Sequence, residues 1–272
     1  MNKTSFNAYV DQGYNHIPVF REVVLDTDTA LGLYLKLANN SYSYLFESVQ
    51  GGEKWGRYSI IGLQANTVVK VFDYEIQIEK DSVVVDQFNV KDPLAWVEEY
   101  QQQFKVPEIN NLPEFNGGLV GYFGYEIIRY IEPKLKDINL KDELGVADIL
   151  LMISNDLVVF DNLANKAFLL THINPKTHTY EQALERLDEI EAQIDQPLIK
   201  QPYQSDHLKA ENFVSSFGEQ NYKEVVGRIQ QYIVAGDVMQ VVPSQRLSAP
   251  YTAPAIELYR QLRRLNPSPY MY

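Results

Sequence analysis

The feature that most constrains the fold is a run of short apolar segments separated by two-residue spacers. Residues 67–72, 75–79 and 82–85 are each rich in the valine, isoleucine and phenylalanine that favour strands. Two residues suffice for a hairpin turn between neighbouring strands. The run therefore predicts an antiparallel meander. The spacers are Asp73-Tyr74 and Lys80-Asp81.

Helical patterns are interspersed with further strands. Asp92 followed by Pro93 is typical of an N-cap with proline at the first helical position, and it predicts a helix to about Phe104. An apolar stripe of period 3.6 predicts a second helix near 179–194. Hairpin-paired strands with interspersed helices predict an α+β fold of antiparallel sheet. The other predicted strands of this part are 17–25, 42–48, 57–63, 148–160 and 166–173, with a turn at Gly51-Gly52.

A change of character near residue 200 predicts two domains. Residues 195–220 are polar and lack periodicity, which is typical of a linker. We therefore expect one region at 17–194 and the start of a second at 221–272. In the second region, Asn221 resembles the start of a capping box, and 238–248 is predicted to be a strand. A last helix is predicted after Thr252, with an apolar stripe that faces inward and consists of Ile256, Leu258, Leu262 and Leu265.

Composition excludes several classes of function. The net charge of −12 argues against a nucleic-acid or anionic-membrane surface. No apolar run is long enough to span a bilayer, and the N-terminus lacks the apolar region of a signal peptide. The chain has no cysteine, which excludes disulfides and fits the cytoplasm. No HExxH-type pattern predicts a metal site among the histidines, which are His16, His172, His178 and His207.

The last seven residues predict that the chain is part of a longer protein. Pro267 disfavours helical backbone at Asn266 and so ends the preceding helix. Residues 270–272 then begin an apolar run with no polar close. Because an open strand with apolar side chains is unfavourable as a terminus, we expect a continuation that carries further sheet partners.

Three short patterns could carry chemistry, and residue types alone leave each open. Residues 45–48 end a predicted strand, which has either one exposed carboxylate, Glu47, or a small-ligand pocket lined by the Ser48 hydroxyl. In an alternating strand, Gln240 shares a face with Ser244 and Arg246, which lines either a substrate or solvent. The third pattern is glycine-rich; it predicts close backbone packing, because no GK[ST] of a phosphate loop follows. Its glycines are Gly117, Gly118, Gly121 and Gly124.

Five motifs in order resemble anthranilate synthase component I, within the chorismate-utilising enzymes. The resemblance extends from about Phe20 to Tyr272, apart from the linker. It implies an α+β fold in which large antiparallel sheets pack together with helices outside. The motifs are LFES with RYSIIG, GGLVGYFGYE with IIRYIE, DILLMISNDLVVFDN, GDVMQVVPSQR and NPSPYM.

The resemblance implies a lyase of tryptophan biosynthesis. The family converts chorismate and ammonia to anthranilate and pyruvate, with ammonia from a glutamine amidotransferase subunit and Mg²⁺ at the substrate. The family's later motifs, including the metal-binding carboxylates, are missing here. We therefore expect no metal ligand in this chain, and an inactive fragment when it is alone. A non-catalytic amino-acid-binding fragment is an alternative.

The resemblance also assigns roles to individual residues. Ser48 matches the serine of the family's LLES motif, which contacts the feedback inhibitor L-tryptophan. Pro269, Tyr270 and Met271 match the other side of that pocket. Gln240 aligns where water-adding relatives have lysine, so it favours the ammonia-using branch. It does not separate anthranilate synthase from aminodeoxychorismate synthase component I.

Overall fold

The computed structural model describes residues 1–49, 56–136, 142, 144–199 and 208–272. The predicted Gly51-Gly52 turn and His207 lie outside the described residues. Contacts divide the chain into two units. The first comprises Met1–Ile199 with Asn266–Tyr272, and the second comprises Lys200–Leu265. The break lies inside the predicted linker, but the terminal heptapeptide packs with the first unit.

The described part of the first unit contains short strands interspersed with helices. Its helices are α1 (Lys3–Asp11), α2 (Ala30–Leu37), α3 (Pro93–Gln102), α4 (Ile128–Ile131) and α5 (Tyr180–Ile194). Its strands are β1 (Ile17–Val24), β2 (Tyr44–Phe46), β3 (Tyr58–Gly62), β4 (Thr67–Phe72), β5 (Glu75–Lys80), β6 (Val83–Asn89), β7 (Gly118–Phe123), β8 (Ile149–Ser154), β9 (Asp156–Asp161) and β10 (Lys166–Ile173).

These strands form two five-stranded sheets. Sheet 1 has the order β1-β10-β9-β3-β2, and sheet 2 has the order β6-β5-β4-β8-β7. Every described strand pair of both sheets is antiparallel. The predicted fold class and the β4-β5-β6 meander are confirmed.

Burial shows how the layers stack. One core cluster joins Ile60 and Val159 of sheet 1 to Val68 and Met152 of sheet 2, so the two sheets face each other. The opposite face of sheet 2 packs on α3 through Val97. Helices α2 and α5 pack on the outer side of sheet 1. The first unit is therefore a two-sheet sandwich with helices outside, as predicted.

One predicted strand is wrong in a way that matters for the sandwich. Residues 148–160 are two strands, because the chain leaves sheet 2 at Ser154 and enters sheet 1 at Asp156. Both halves are buried and apolar, and neither periodicity nor composition changes at Asn155. The pattern therefore predicts strands but not the sheet to which each belongs.

Local signals are accurate where they involve close packing or a proline. A Cβ on Gly121 would lie 1.8 Å from the Leu150 carbonyl oxygen, which confirms that this glycine allows close backbone approach. The Asp92-Pro93 helix start is also confirmed. Helix α2 is capped by Thr29, whose hydroxyl accepts a hydrogen bond from the Gly32 backbone N–H.

The second unit contains α6 (Glu219–Ala235), α7 (Ala255–Leu265) and a two-stranded ladder of β11 (Val214–Ser215) with β12 (Leu247–Ser248). The predicted strand 238–248 is wrong apart from its last two residues. Pro243 has no N–H for a ladder, and 238–246 pair with no described strand. The predicted capping box at Asn221 is also wrong, since Gly218 is the N-cap of α6.

The described helices include none that is both long and apolar enough to cross a membrane.

Candidate effector-binding site

The terminal segment pairs with the open edge of sheet 1. Strand β2 is the last strand of that sheet, so its outer backbone groups are available to another segment. Glu47, just after β2, makes an antiparallel bridge with Met271. The Glu47 N–H donates to the Met271 carbonyl at 2.8 Å, and the Met271 N–H donates back at 2.9 Å. Two predicted site segments, distant in sequence, are thereby neighbours.

Aromatic contacts support this bridge on both sides. The Tyr270 hydroxyl donates to the backbone carbonyl of Tyr58 at 3.1 Å. The Phe46 and Tyr272 rings meet edge to face, with centroids 6.3 Å apart. The segment is therefore held by backbone pairing, one side-chain hydrogen bond and one ring contact. Because Tyr58 lies on β3, residues of two strands fix the position of the segment.

Ser48 is held at its backbone but not at its hydroxyl. Its N–H donates to the Ser59 hydroxyl at 3.2 Å, and the same hydroxyl accepts from the Asn162 amide at 3.1 Å. Ser59 is fully buried. The Ser48 hydroxyl oxygen is also buried, yet it has no hydrogen-bond partner among the described residues. A buried hydroxyl without a partner is unfavourable, and a ligand that bonds to it would remove that penalty.

An ion pair between the half-exposed Arg57 and the buried Asp161 anchors the loop that carries Asn162. Both the Nε and Nη2 atoms of Arg57 donate to Asp161 Oδ2, at 3.0 and 2.7 Å. Burial opposes ionisation of Asp161, but Arg57 and the backbone N–H groups of Ala164 and Leu163 outweigh it and lower the pKa of this carboxyl. Asn162 also donates its backbone N–H to the Arg57 carbonyl at 2.8 Å. The support behind Ser59 is therefore rigid.

The remaining predicted residues lie in different places. Pro269 is exposed and lies two residues before the bridge. Gln240 is exposed in the second unit, in a segment without regular secondary structure. The alternating face predicted for Gln240, Ser244 and Arg246 is not formed there, because 238–246 is not a strand. The structure thus brings together Ser48 with 270–271 and leaves Gln240 in the other unit.

The chemistry of this site is that of binding. The Ser48 hydroxyl and the strand-end backbone can hydrogen-bond the charged ends of an amino acid, and Met271 offers an adaptable apolar contact. Within the described ranges, no three histidine, cysteine or carboxylate side chains are placed to hold a metal ion. The described residues therefore do not fit a Mg²⁺ site.

Comparison with known sequences decides the family. The sequence profile described as chorismate binding enzyme matches residues 44–272. The chain belongs to the chorismate binding enzyme family. Both the edge of sheet 1 and the terminal segment that pairs with it lie inside the matched region.

Two similar proteins from different bacteria carry the same name. The chain is 48% identical over 278 residues to anthranilate synthase component 1 of Pseudomonas aeruginosa, covering 100% of this chain and 56% of that protein. It is 34% identical to the protein of that name from Aquifex aeolicus, covering 97% of this chain and 54% of that one. The chain thus spans about half the length of these relatives.

A solved structure shows the same fold. The crystal structure of anthranilate synthase component I from Streptococcus pneumoniae TIGR4 superimposes with a TM-score of 0.64 at 23% identity. The superposition covers 93% of this chain and 54% of that one. The superimposed part of that protein therefore shares the fold described here.

The sequence interpretation missed the residues that support Ser48. Ser59 lies within RYSIIG and Asn162 ends DILLMISNDLVVFDN. Both residues therefore belong to the family motifs, but the sequence predicted no role for either. Glu47 is 2% exposed although it is a carboxylate. Polar residues at the ends of apolar strands were the available signal, but only the pairing of β3 with β9 shows that they meet.

Proposed function

We propose that this chain is the N-terminal portion of an anthranilate synthase component I. The complete enzyme converts chorismate and ammonia to anthranilate and pyruvate in the cytoplasm, with a glutamine amidotransferase subunit supplying ammonia. The observation that carries the proposal is the 48% identity to the Pseudomonas aeruginosa relative along 100% of this chain. Mg²⁺ and its ligands are assigned to the part of those relatives that this chain does not span.

The proposal is tested by an activity assay on a completed chain. Residues 1–272 are joined to the remaining C-terminal part of the Pseudomonas aeruginosa relative and supplied with chorismate, Mg²⁺ and an ammonium salt. We expect anthranilate, detected by its fluorescence, and no turnover by the 272-residue chain alone. Chromatography separates anthranilate from aminodeoxychorismate, and formation of the latter would assign the chain to the alternative synthase.

We further infer that L-tryptophan binds at the junction of Ser48 with Pro269, Tyr270 and Met271 and inhibits the complete enzyme. Two observations support this assignment. The Glu47–Met271 bridge makes the two segments adjacent, and the buried Ser48 hydroxyl has no partner in the described part of the chain. An effector that contacts both segments stabilises their pairing, which is a requirement for coupling to a remote site.

Gln240 is proposed to line the substrate in the complete enzyme. A glutamine is neither a base nor an acid at neutral pH, so it cannot activate water as a lysine can. The proposal is tested by Gln240→Lys in the completed chain. Gain of a hydroxylated product beside anthranilate would support it, and an unchanged product ratio would contradict it.

A further inference from the structure

A cavity lies in the first unit, among residues with no role in the proposed function. It measures about 350 Å³, which is within the range of small-molecule sites. Its inner wall contains His16, His172 and Asn155, and its rim contains Lys80, Thr177 and His178. Its lining residues include one lysine and three histidines but no carboxylate. The chain as a whole is acidic, with a net charge of −12, but this lining has a lysine and no carboxylate. The local charge therefore favours an anion as the ligand.

The two inner histidines form a rigid stack. Their rings are 4.8 Å apart at an angle of 21°, and Phe104 packs edge-on against His16 at 5.1 Å. His172 Nδ1 lies 3.1 Å from the backbone carbonyl oxygen of Asn155. A Cβ on Gly117 would lie only 2.6 Å from the His172 ring, at a backbone φ of +147°. The first glycine of the glycine-rich motif therefore makes room for this imidazole.

Asn155 provides a hydrogen-bonding group that is unused. Its side-chain oxygen is buried and has no partner among the described residues. Because an amide oxygen only accepts, the ligand that satisfies it must carry a donor. A carboxylate has none, whereas a hydroxyl beside a carboxylate supplies one. The cavity thus combines a cationic rim with an acceptor at its inner wall.

We propose that this cavity binds a small hydroxycarboxylic acid, with its carboxylate towards Lys80 and the histidines and its hydroxyl towards Asn155. The site is separate from the Ser48 segment and does not depend on the proposed function. Because the 350 Å³ volume exceeds that of a two-carbon acid, larger acids of this class also fit.

Binding should take up a proton. Burial lowers the pKa of His16 to about 3, with a further contribution from His172, and burial lowers the pKa of His172 to about 4. A bound carboxylate favours the imidazolium form and raises both values, so affinity increases as pH falls. Asp156 also acts on His172 by its charge, but its oxygens are engaged by Arg186 and Thr171. Lys80, His178 and Tyr100 are the other charged or titratable lining groups, and burial raises the pKa of the Tyr100 hydroxyl.

The test compares glycolate with acetate, which lacks the hydroxyl, by isothermal titration calorimetry on the 272-residue chain. We expect saturable binding with glycolate tighter by about three- to tenfold, the worth of one hydrogen bond. Titrations in two buffers of different ionisation enthalpy should show proton uptake, and affinity should rise from pH 7.5 to 5.5. Sodium chloride at equal ionic strength is the salt control.

Variants separate the groups involved. Asn155→Ala should make the two acids bind equally, and Lys80→Gln should weaken both by up to about fivefold. Lys176→Gln removes an exposed lysine from the same rim loop without touching the cavity lining, and should change nothing. Equal affinities of the two acids for the parent chain would overturn the proposal. So would binding that is absent, or that is indifferent to both Asn155→Ala and Lys80→Gln.

Discussion

Both units have helices with an apolar stripe in their sequence, but the two units differ in how far their helix side chains are buried. In the first unit, Leu33, Leu169 and Leu187 are completely buried between helices and sheet 1. In the second, α6 and α7 contain no buried residue. Leu258, Leu262 and Leu265 form the apolar stripe of α7, and they are 47%, 48% and 80% exposed. We predicted that this stripe faces inward, and that prediction is wrong.

The difference shows that a sequence pattern predicts which side chains share a helix face, but not whether that face is buried. A period of 3.6 fixes which side chains share a helix face, and it does so in α5 and α7 alike. Burial needs a second surface. For α5 that surface is sheet 1, whose strands come from residues 17–24 and 166–173 among others. For α7 the described residues of the second unit provide none. Four predictions test this contrast.

The largest expected effect is acid unfolding of the first unit alone. Both His16 and His172 are buried in neutral form, so their folded-state pKa values lie below the unfolded value of about 6.5. Their contribution to stability is present above pH 6.5 and is lost as pH falls towards about 4. The contribution of each histidine to the free energy of unfolding falls by about 1.4 kcal/mol per pH unit in this window. Together the two histidines therefore lower the free energy of unfolding by about 5 kcal/mol or more.

The measurement is urea unfolding at several pH values, followed by tryptophan fluorescence. Trp55 and Trp96 are the only tryptophans, and both precede residue 199, so the signal reports on the first unit. The variant His16→Gln should flatten the pH dependence, and the exposed His178→Gln should leave it unchanged. A parent chain with equal stability at pH 7 and pH 4.5 would contradict the assignment of neutral buried imidazoles.

The next effect is a matched pair of core substitutions. Leu187→Ala removes a fully buried side chain from α5, and we expect a loss of about 2–5 kcal/mol in the free energy of unfolding. Leu262→Ala makes the same chemical change in α7, where half the side chain is exposed, and should change stability by at most about 0.5 kcal/mol. Urea unfolding monitored by helical circular dichroism measures both. Equal losses would show that the two units are packed alike.

Much of the first unit could be predicted because its signals are local. The β4-β5-β6 meander follows from two-residue turns, and α3 follows from Asp92 and Pro93. The switch of sheets at Asn155 and the added helix α1 could not be predicted in this way. The switch depends on which strands pair across long distances, and α1 has an N-cap, Asn2, but only one buried residue, Phe6.

The candidate site likewise has residues that the sequence predicted and residues that depend on pairing between distant strands. Family resemblance supplied Ser48 and the 269–271 segment, and the structure shows that the bridge of Glu47, next to Ser48, with Met271 makes the two segments neighbours. Ser59 and Asn162 were not predicted, because their role exists only where β3 pairs with β9. Nor was the cavity at His16 and His172, since those residues are 156 positions apart in sequence (172 − 16) and neither belongs to a motif.

The third prediction concerns a site that lies wholly in the first unit. Ser48→Phe in the completed chain should weaken inhibition by tryptophan about ten- to a hundredfold, because loss of a hydrogen bond to a charged group costs about 1.5–3 kcal/mol. Turnover without tryptophan should change far less. Ser5→Phe places the same side chain on the exposed face of α1 and is the control. Steady-state curves with and without tryptophan measure both; unchanged inhibition in Ser48→Phe removes the assignment.

The smallest expected effect compares how the two units begin their long helices. Helix α5 starts with a capping box, in which Thr179 and Gln182 each accept a backbone hydrogen bond from the other. Helix α6 starts at Gly218 with no side-chain cap. Thr179→Ala should therefore lower the unfolding free energy of the first unit by about 1 kcal/mol, whereas Thr179→Ser keeps the hydroxyl and should lower it much less. Fluorescence-detected urea unfolding measures this difference. Equal losses in the two variants would mean that the methyl group of Thr179, and not its hydrogen bond, stabilises the start of α5.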